Sequence, residues 1–412
     1  MVPAVSLKSL HSAKWRSDPY AFYAELHQRG AAAPLDAVRD GYDVIVYGYH
    51  AVDALLKDTS YRLMDSDYMD GRVPHWRDHT VLRTLKDSMF FVNDAVHARL
   101  RHMFGHVFTP RRSTLFEPTI ARLTDELLDR MERMGHGGEP LDFMAEFAFP
   151  LPSNTIGELL GVPEEDRAWF QPRVRAISEI FELDGSTWAN MLAADDATAE
   201  LLDYFAALTA KRRGDPGDDL VSALVSSDAS DDPLSDVELL ANLIALFNAG
   251  FVTTTHLFGC GLALLLQRPE MLAALRDDPD LAPPYVEEIL RFAPPTHFLV
   301  RYASEDAEVA GVTIPKGSSV VVAIAAANRD PARFADPDVF DPARADNRPL
   351  SFGAGPHFCL GAALTRSEGS VALPMLLRRF PELAFVGDPG VPRRLQFRGY
   401  ERLQISVTGR ES

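Results

Sequence analysis

A chain of 412 residues with 46% apolar and 24% charged residues has the composition of an ordinary globular protein with ample core. Its 59 acidic against 41 basic residues leave a net charge of −18, which argues against a nucleic-acid-binding surface, because phosphate binding needs concentrated positive charge. Two cysteines, Cys260 and Cys359, cannot build a disulfide framework and show no zinc-type spacing, so a reducing cytoplasm is the expected compartment. Met1–Leu10 has no basic-then-apolar leader, and no unbroken apolar run of about 18 residues marks a membrane span.

In chain order, Asp18-Pro19 opens a predicted helix to about Gly30, since proline suits a first helical turn. Tyr42–Tyr47 reads as a strand, rich in β-branched and aromatic residues, and a helix follows from about His50 to Lys57. Asp58–Asp94 is polar and without clear period, and is expected to be a long substrate-facing loop. A short helix over Ala95–Gly105 carries His97 and Arg101 on one face, either a solvated polar face or a binding one. Helical periodicity then covers Pro110–Met134, Leu141–Leu160, Glu164–Phe181 and Thr187–Arg213. The Gly-Asp-Pro-Gly-Asp-Asp run at 214–219 is a loop.

The longest helical stretch runs from Ser235 to about Gln267, with Asp236 and Glu238 in the first turn, where the helix dipole favours acids. It is apolar nearly all round, which sends it through the core. Its middle, Asn248 to Thr255, holds a glycine and three threonines, residues that weaken a helix. A small ligand pressing in there and a close helix crossing at Ala249-Gly250 are both open readings. Pro283–Phe292 is a further helix containing Glu287, Glu288 and Arg291, Val300–Val322 reads as short strands, and Ala323–Arg348 as loop. A last hairpin is expected within Gln396–Ser406.

Ser351–Gly361, reading Ser-Phe-Gly-Ala-Gly-Pro-His-Phe-Cys-Leu-Gly, is followed by an apolar helical run, Leu360–Phe380. Cys359 therefore sits where a loop enters a helix N-terminus, a place whose orphan N–H groups stabilise a thiolate. Nucleophile, redox sensor, metal ligand and inert core residue remain open on that ground. The surrounding glycines and aromatics favour a metal ligand.

Several stretches together resemble the cytochrome P-450 superfamily. Phe352, Gly353, Gly355, His357, Cys359 and Gly361 match its cysteine-ligand loop, Glu288-Ile289-Leu290-Arg291 its Glu-x-x-Arg helix, and Ala249-Gly250-x-x-Thr253-Thr254 its oxygen-binding helix. His97-Ala98-Arg99-Leu100-Arg101 resembles its haem-propionate helix, and Asn328-Arg329-Asp330-Pro331 with Phe340-Asp341-Pro342 the segment before the cysteine. The order and spacing hold from about Asp18 to the C-terminus. The resemblance implies a mainly α fold with small β-sheets (α+β), one domain over residues 1–412 with a long central helix, and a loosely ordered segment at 1–17.

It further implies haem b (iron protoporphyrin IX) held by Cys359, whose thiolate pushes electron density toward O–O cleavage. Phe352, Gly353 and Gly361 would shape the loop, with Phe352 shielding the sulfur. His97, Arg101, Arg301 and His357 would hold the propionates. Ala249, Gly250, Thr253 and Thr254 would form the oxygen site, and Glu288 and Arg291 a buried structural pair. The family's usual acid before the key threonine is here Val252, so the proton must come through water, another side chain or the substrate. This opens oxidative coupling, ring formation or epoxidation beside hydroxylation. The implied enzyme is a bacterial-type, soluble, cytoplasmic monooxygenase acting on a small apolar or aromatic natural-product precursor. NAD(P)H would supply electrons through a reductase and a ferredoxin. Arg101, His102, His106, Arg111, Arg112 and Arg366 are the expected docking patch, while Leu246, Val252, Thr296, His297, Phe298 and Phe397 are expected in the substrate pocket. The rivals are a non-catalytic haem protein for electron transfer or gas sensing, and a cysteine-nucleophile hydrolase.

Overall fold

A computed structural model describes residues 5–37, 41–105, 107–183, 187–226, 233–392 and 394–408. The helix Asp236–Leu266, called the central helix below, is its axis. Its start is fixed by a capping box: the Ser235 hydroxyl accepts the Glu238 N–H while the Glu238 carboxylate accepts the Ser235 N–H. The helix is 31 residues long, about 46 Å at 1.5 Å per residue, and is long and apolar enough to cross a bilayer. Yet 72% of its most apolar window is buried inside the protein, which is why it is hydrophobic on every face.

Two apolar cores hang on this helix. Leu239, Leu243, Phe247, Phe251 and Val252 pack with Phe170 and Phe205, from the helices Glu164–Glu179 and Trp188–Gly214. Leu257, Phe258, Leu262 and Leu265 pack with Phe147, Ile289 and Leu373. The change-over falls at Thr253 to His256, where the helix turns polar. The helix runs unbroken through this stretch, with the Thr253 and Thr255 hydroxyls returning to the carbonyls of Ala249 and Phe251 at 3.0 and 2.9 Å. At Gly250 the helix packs on the helix Pro150–Leu160, where an added Cβ would make ordinary contact with Ile156 at 3.4 Å. A Cβ at Gly259 would stand 2.7 Å from the Met144 sulfur, and one at Gly261 3.2 Å from Ile289.

A five-stranded sheet flanks the helices, in the order Ala32–Pro34, Val44–Val46, Ser319–Ala323, Phe298–Ala303, Tyr61–Arg62. The pairing of Val44–Val46 with Ser319–Ala323 is parallel and the other pairings are antiparallel. Ser319–Ala323 is buried throughout, as expected of a central strand of β-branched residues. The cysteine loop leads into the helix Ala362–Arg379, the cysteine helix, which packs on Pro110–Gly135 and on Ala282–Phe292.

Four expectations change. Asp58–Asp94 is not an irregular loop: it holds a short strand, the helices Ser66–Arg72 and Thr80–Leu85, and a turn that buries Trp76. The Leu141–Leu160 helix is split into the strand Leu141–Asp142, a π-type turn and the helix Pro150–Leu160. The C-terminal hairpin is absent. Gln404–Ser406 pairs instead with the distant Leu141–Asp142 and Ala384–Phe385, burying Ile405. Residues 5–17, the described part of the segment before residue 18, carry helical structure where loose order was expected. Leu7–His11 and Ala13–Ser17 are helical, and Leu7 and Leu10 are buried against Phe22 and Tyr23.

Candidate active site

The cysteine loop is built by short-range bonds. Gly353 N–H donates to Leu350 O at 2.8 Å, Phe358 N–H to Gly355 O at 3.0 Å, and Cys359 N–H to Phe352 O at 2.8 Å. Gly353 and Gly355 both take φ of +70°, open to glycine at little cost. Gly355 also presses on the end of the helix Tyr49–Lys57, where a Cβ would come within 2.3 Å of the Leu56 carbonyl oxygen. That glycine serves a contact with protein backbone. Gly361, directly before the cysteine helix, faces open space instead.

Cys359 is half-buried in the same apolar cluster as Phe352. Burial raises its thiol, while the N–H groups of Gly361 and Ala362 and the charges of Arg101 and Arg366 pull the other way. Arg366 lies over the Phe352 ring at 4.4 Å and is paired with Glu287.

Four cation-capable side chains converge beside the sulfur from three elements. His97 and Arg101 come from the helix Asp94–Gly105, Arg301 from the strand Phe298–Ala303, and His357 from the loop itself. The rings of His97 and His357 stack at 3.8 Å. Burial lowers the pKa of all four: His357 to about 3, with His97, Arg301 and Arg101 adding to the effect, and Arg301 to about 10. Arg301 is 7% exposed, and its one side-chain bond, to the Val300 carbonyl, compensates no charge. None of the four has an acidic partner among the described residues. A buried cluster of cations without an anion is a cradle for an anionic ligand. The donor set, one cysteine sulfur beside a cradle suited to carboxylates, fits haem.

On the other side, the central helix brings Ala249, Gly250, Thr253 and Thr254 together. The Thr254 hydroxyl lies 3.4 Å from that of Thr365 on the cysteine helix. Leu246, Val252 and Phe397 share one cluster, and Thr296 pairs with Phe397 in an isolated bridge. The structure turns the other two expected pocket residues away. His297 Nδ1 lies 2.9 Å from the Tyr23 hydroxyl, and Phe298 packs in the separate cluster around Tyr23 and Phe22. Both tie the strand to the N-terminal helix Pro19–His27.

Glu288 and Arg291 are fully buried and bonded through the Nε–Nη2 edge of the guanidinium, at 2.8 and 2.7 Å. Arg291 also donates to the carbonyls of Asn328, Pro337 and Val339, and Glu288 accepts from Asp341 N and Asn347 Nδ2. Asn328 in turn binds Leu350 N and Ser351 Oγ. The pair therefore sets the segment that delivers the cysteine loop. On the surface, His102, Arg111 and Arg112 are exposed and Arg101 half-buried; His106 lies outside the described residues.

Sequence reasoning missed Glu368. It sits on the cysteine helix, 2% exposed, with Oε1 lacking any hydrogen-bond partner. Burial pushes its carboxyl up to about 8, against the pull of the Thr155 hydroxyl. Next to it, Ser367 Oγ donates to the half-buried Glu117 at 3.1 Å. The available signal was an acid three residues from Thr365 on a helix otherwise apolar on that side.

A family model for cytochrome P450 matches residues 9–388. The biotin biosynthesis cytochrome P450 of Bacillus subtilis is 35% identical over 97% of this chain and 98% of its own length. The 6-deoxyerythronolide B hydroxylase of Saccharopolyspora erythraea is 36% identical over 98% and 100%. Among solved structures, P450BioI in complex with an acyl carrier protein ligated to hexadec-9Z-enoic acid matches with a TM-score of 0.88 at 33% identity, covering 96% of this chain and 100% of that one. CxnD, an enzyme for C–S bond formation in chuangxinmycin biosynthesis, matches with a TM-score of 0.88 at 32% identity over 100% and 98%.

Proposed function

This chain belongs to the cytochrome P450 family, and from that premise we propose that it works as a single-domain haem-thiolate monooxygenase on a small, mostly apolar or aromatic natural-product precursor. Dioxygen is the co-substrate, and two electrons from NAD(P)H are delivered in the cytoplasm through a ferredoxin reductase and a ferredoxin. The observation that carries this reading is Cys359 beside four cation-capable side chains, His97 and Arg301 buried and Arg101 and His357 half-buried, with no acidic partner among the described residues. Haem b in this site is held at iron by the Cys359 sulfur and at its propionates by His97, Arg101, Arg301 and His357. Bound there, it supplies the iron at which dioxygen is activated, with the thiolate promoting O–O cleavage.

The chain's own residues do the rest. The Gly361 and Ala362 N–H groups temper the sulfur's charge. Leu246, Val252 and Phe397 exclude water and present an apolar wall to the substrate. The Thr253 hydroxyl, bonded to the Ala249 carbonyl, keeps its oxygen lone pairs available on the open side of the helix. With Val252 in the acid's usual place, Glu368 is the proton store: burial raises its carboxyl to about 8, which keeps it neutral near physiological pH, and it stands three residues along the cysteine helix from Thr365, whose hydroxyl meets that of Thr254.

A second reading is favoured by the likeness to CxnD. The same chemistry would then form a bond or ring within the substrate: two hydrogens leave the substrate and dioxygen ends as two waters, with the same two electrons and two protons as hydroxylation. For electron entry, Arg101, His102, Arg111 and Arg112 form a basic face on an otherwise acidic chain, suited to an acidic carrier.

The test is spectroscopic. Reduced, carbonyl-bound protein shows the long-wavelength thiolate Soret band, and Cys359→Ala abolishes it. Protein expressed with ample iron and haem precursor that holds no haem, or a Cys359→Ala variant that keeps the band, sinks the reading. Electron transfer or gas sensing without turnover is separated by oxygen consumption coupled to product from a precursor library.

A further inference from the structure

The turn after the helix Glu164–Glu179 carries a carboxylate whose hydrogen bonds are nearly all to main chain. Glu182 Oε2 accepts the N–H groups of Leu395 at 3.1 Å and Gln396 at 3.0 Å, and Oε1 accepts that of Phe397 at 3.4 Å. Three residues earlier, Glu179 accepts Arg394 Nη2 at 2.9 Å. Two acids at one helix end thus hold four consecutive residues. Successive N–H groups aimed at one point form a concave anion site, and here the chain fills it with its own carboxylate.

The end of this segment is also held by residues 295–297. His297 N–H donates to Gln396 O at 2.9 Å, Arg398 N–H donates to Pro295 O at 2.9 Å, and Thr296 bridges Phe397. The side chains of this bent segment divide between two clusters. Leu395 packs toward Phe22 and Tyr23, and Phe397 packs into the cluster of Leu246 and Val252. The backbone that Glu182 grips is therefore the backbone that aims Phe397.

We propose that Glu182 is a positioning residue for substrate: its carboxylate locks the Leu395–Phe397 backbone so that Phe397 stands as a fixed wall beside Val252, and this sets the size of molecule accepted above Cys359. The proposal rests on the reading of Phe397 as a pocket wall. A carboxylate is the right device, because three N–H donors converge on it and hydrogen bonds to an ionised acceptor are stronger than those to a neutral one. Its removal leaves the three N–H groups to water and the wall free to move.

The experiment uses holoenzyme carrying Glu182→Ala, Glu182→Gln or Phe397→Ala, with imidazole and the bulkier phenylimidazole as probes. Imidazole reports the iron alone, and phenylimidazole reports the iron and the wall. In Glu182→Ala, amide hydrogen exchange at Leu395, Gln396 and Phe397 accelerates about ten-fold or more. Imidazole affinity stays within about two-fold, and phenylimidazole affinity shifts about ten-fold. Glu182→Gln falls between, since one amide oxygen still accepts the Leu395 and Gln396 N–H groups. Phe397→Ala shifts phenylimidazole affinity while leaving exchange at Leu395 and Gln396 as in the wild type. Unchanged exchange in both Glu182 variants overturns the clamp. Faster exchange with wild-type phenylimidazole affinity overturns its effect on substrate. A silent Phe397→Ala removes the wall and the proposal with it, while an intact thiolate band leaves the haem-thiolate reading standing.

Discussion

Glu288 and Glu368 are equally hidden from water and are kept in opposite ways. Both Glu288 oxygens meet the Nε–Nη2 edge of the Arg291 guanidinium, and they also accept the Asp341 N–H and the Asn347 amide, so the carboxylate is fully satisfied. Glu368 has the Thr155 hydroxyl beside it, one oxygen without a partner and a carboxyl raised to about 8. A buried acid with every lone pair engaged holds structure, because exchanging its proton costs the whole network. A buried acid left half-satisfied gains or loses a proton near neutral pH, which is what delivery requires.

The largest way to break this contrast is Glu288→Ala, which strands the Arg291 charge in the core. It costs about 3–5 kcal/mol of unfolding free energy by denaturant titration. The double change Glu288→Met with Arg291→Met recovers part of that loss, and a single variant within about 1 kcal/mol of wild type would contradict the structural assignment. Glu368→Gln acts in the opposite direction. The folded carboxyl, at about 8, holds its proton more tightly than the ordinary 4.5, so its contribution to stability is complete below about 4.5 and is lost as pH rises through about 8. Wild-type protein therefore loses on the order of 1 kcal/mol per pH unit across that window from this group, and Glu368→Gln flattens the slope. The same variant slows turnover about ten-fold or more and enlarges the solvent isotope effect. An unchanged slope with unchanged turnover removes Glu368 from the mechanism. The smallest effect carries the contrast to the surface, where Arg366 is paired with Glu287 while Arg111 and Arg112 have no acidic partner among the described residues. Reversing both charges lowers the ferredoxin-dependent reduction rate by about three-fold to ten-fold at low salt and flattens its salt dependence. Reversing Arg366 alone does less.

The long elements and the order of motifs were legible because each is local. The central helix declares itself by length, all-round apolarity and a capping box, and the cysteine loop by glycines whose positive φ the structure shows. The misses share a different physics. The helices within Asp58–Asp94 are short and polar, and they exist because they dock, with Met69 and Trp76 as anchors. Gln404–Ser406 finds its partner more than half a chain away, which no local pattern announces. His297 and Phe298 stand beside Thr296 in sequence, and the register that sends them to the Tyr23 cluster is a property of the sheet. Glu368 looked like one more helix charge until its burial was known.

Gly259 and Gly261 give the central helix two notches, seating the side chains of Met144 and Ile289 from other elements. Notches fix a rod both along its length and about its axis. The distance from Thr253 to the cysteine helix is therefore a machining tolerance, cut where the rod meets its bearings. One methyl group in the Gly259 notch would shift the rod at a bearing remote from the substrate wall, and a change there would be read out as altered product selectivity.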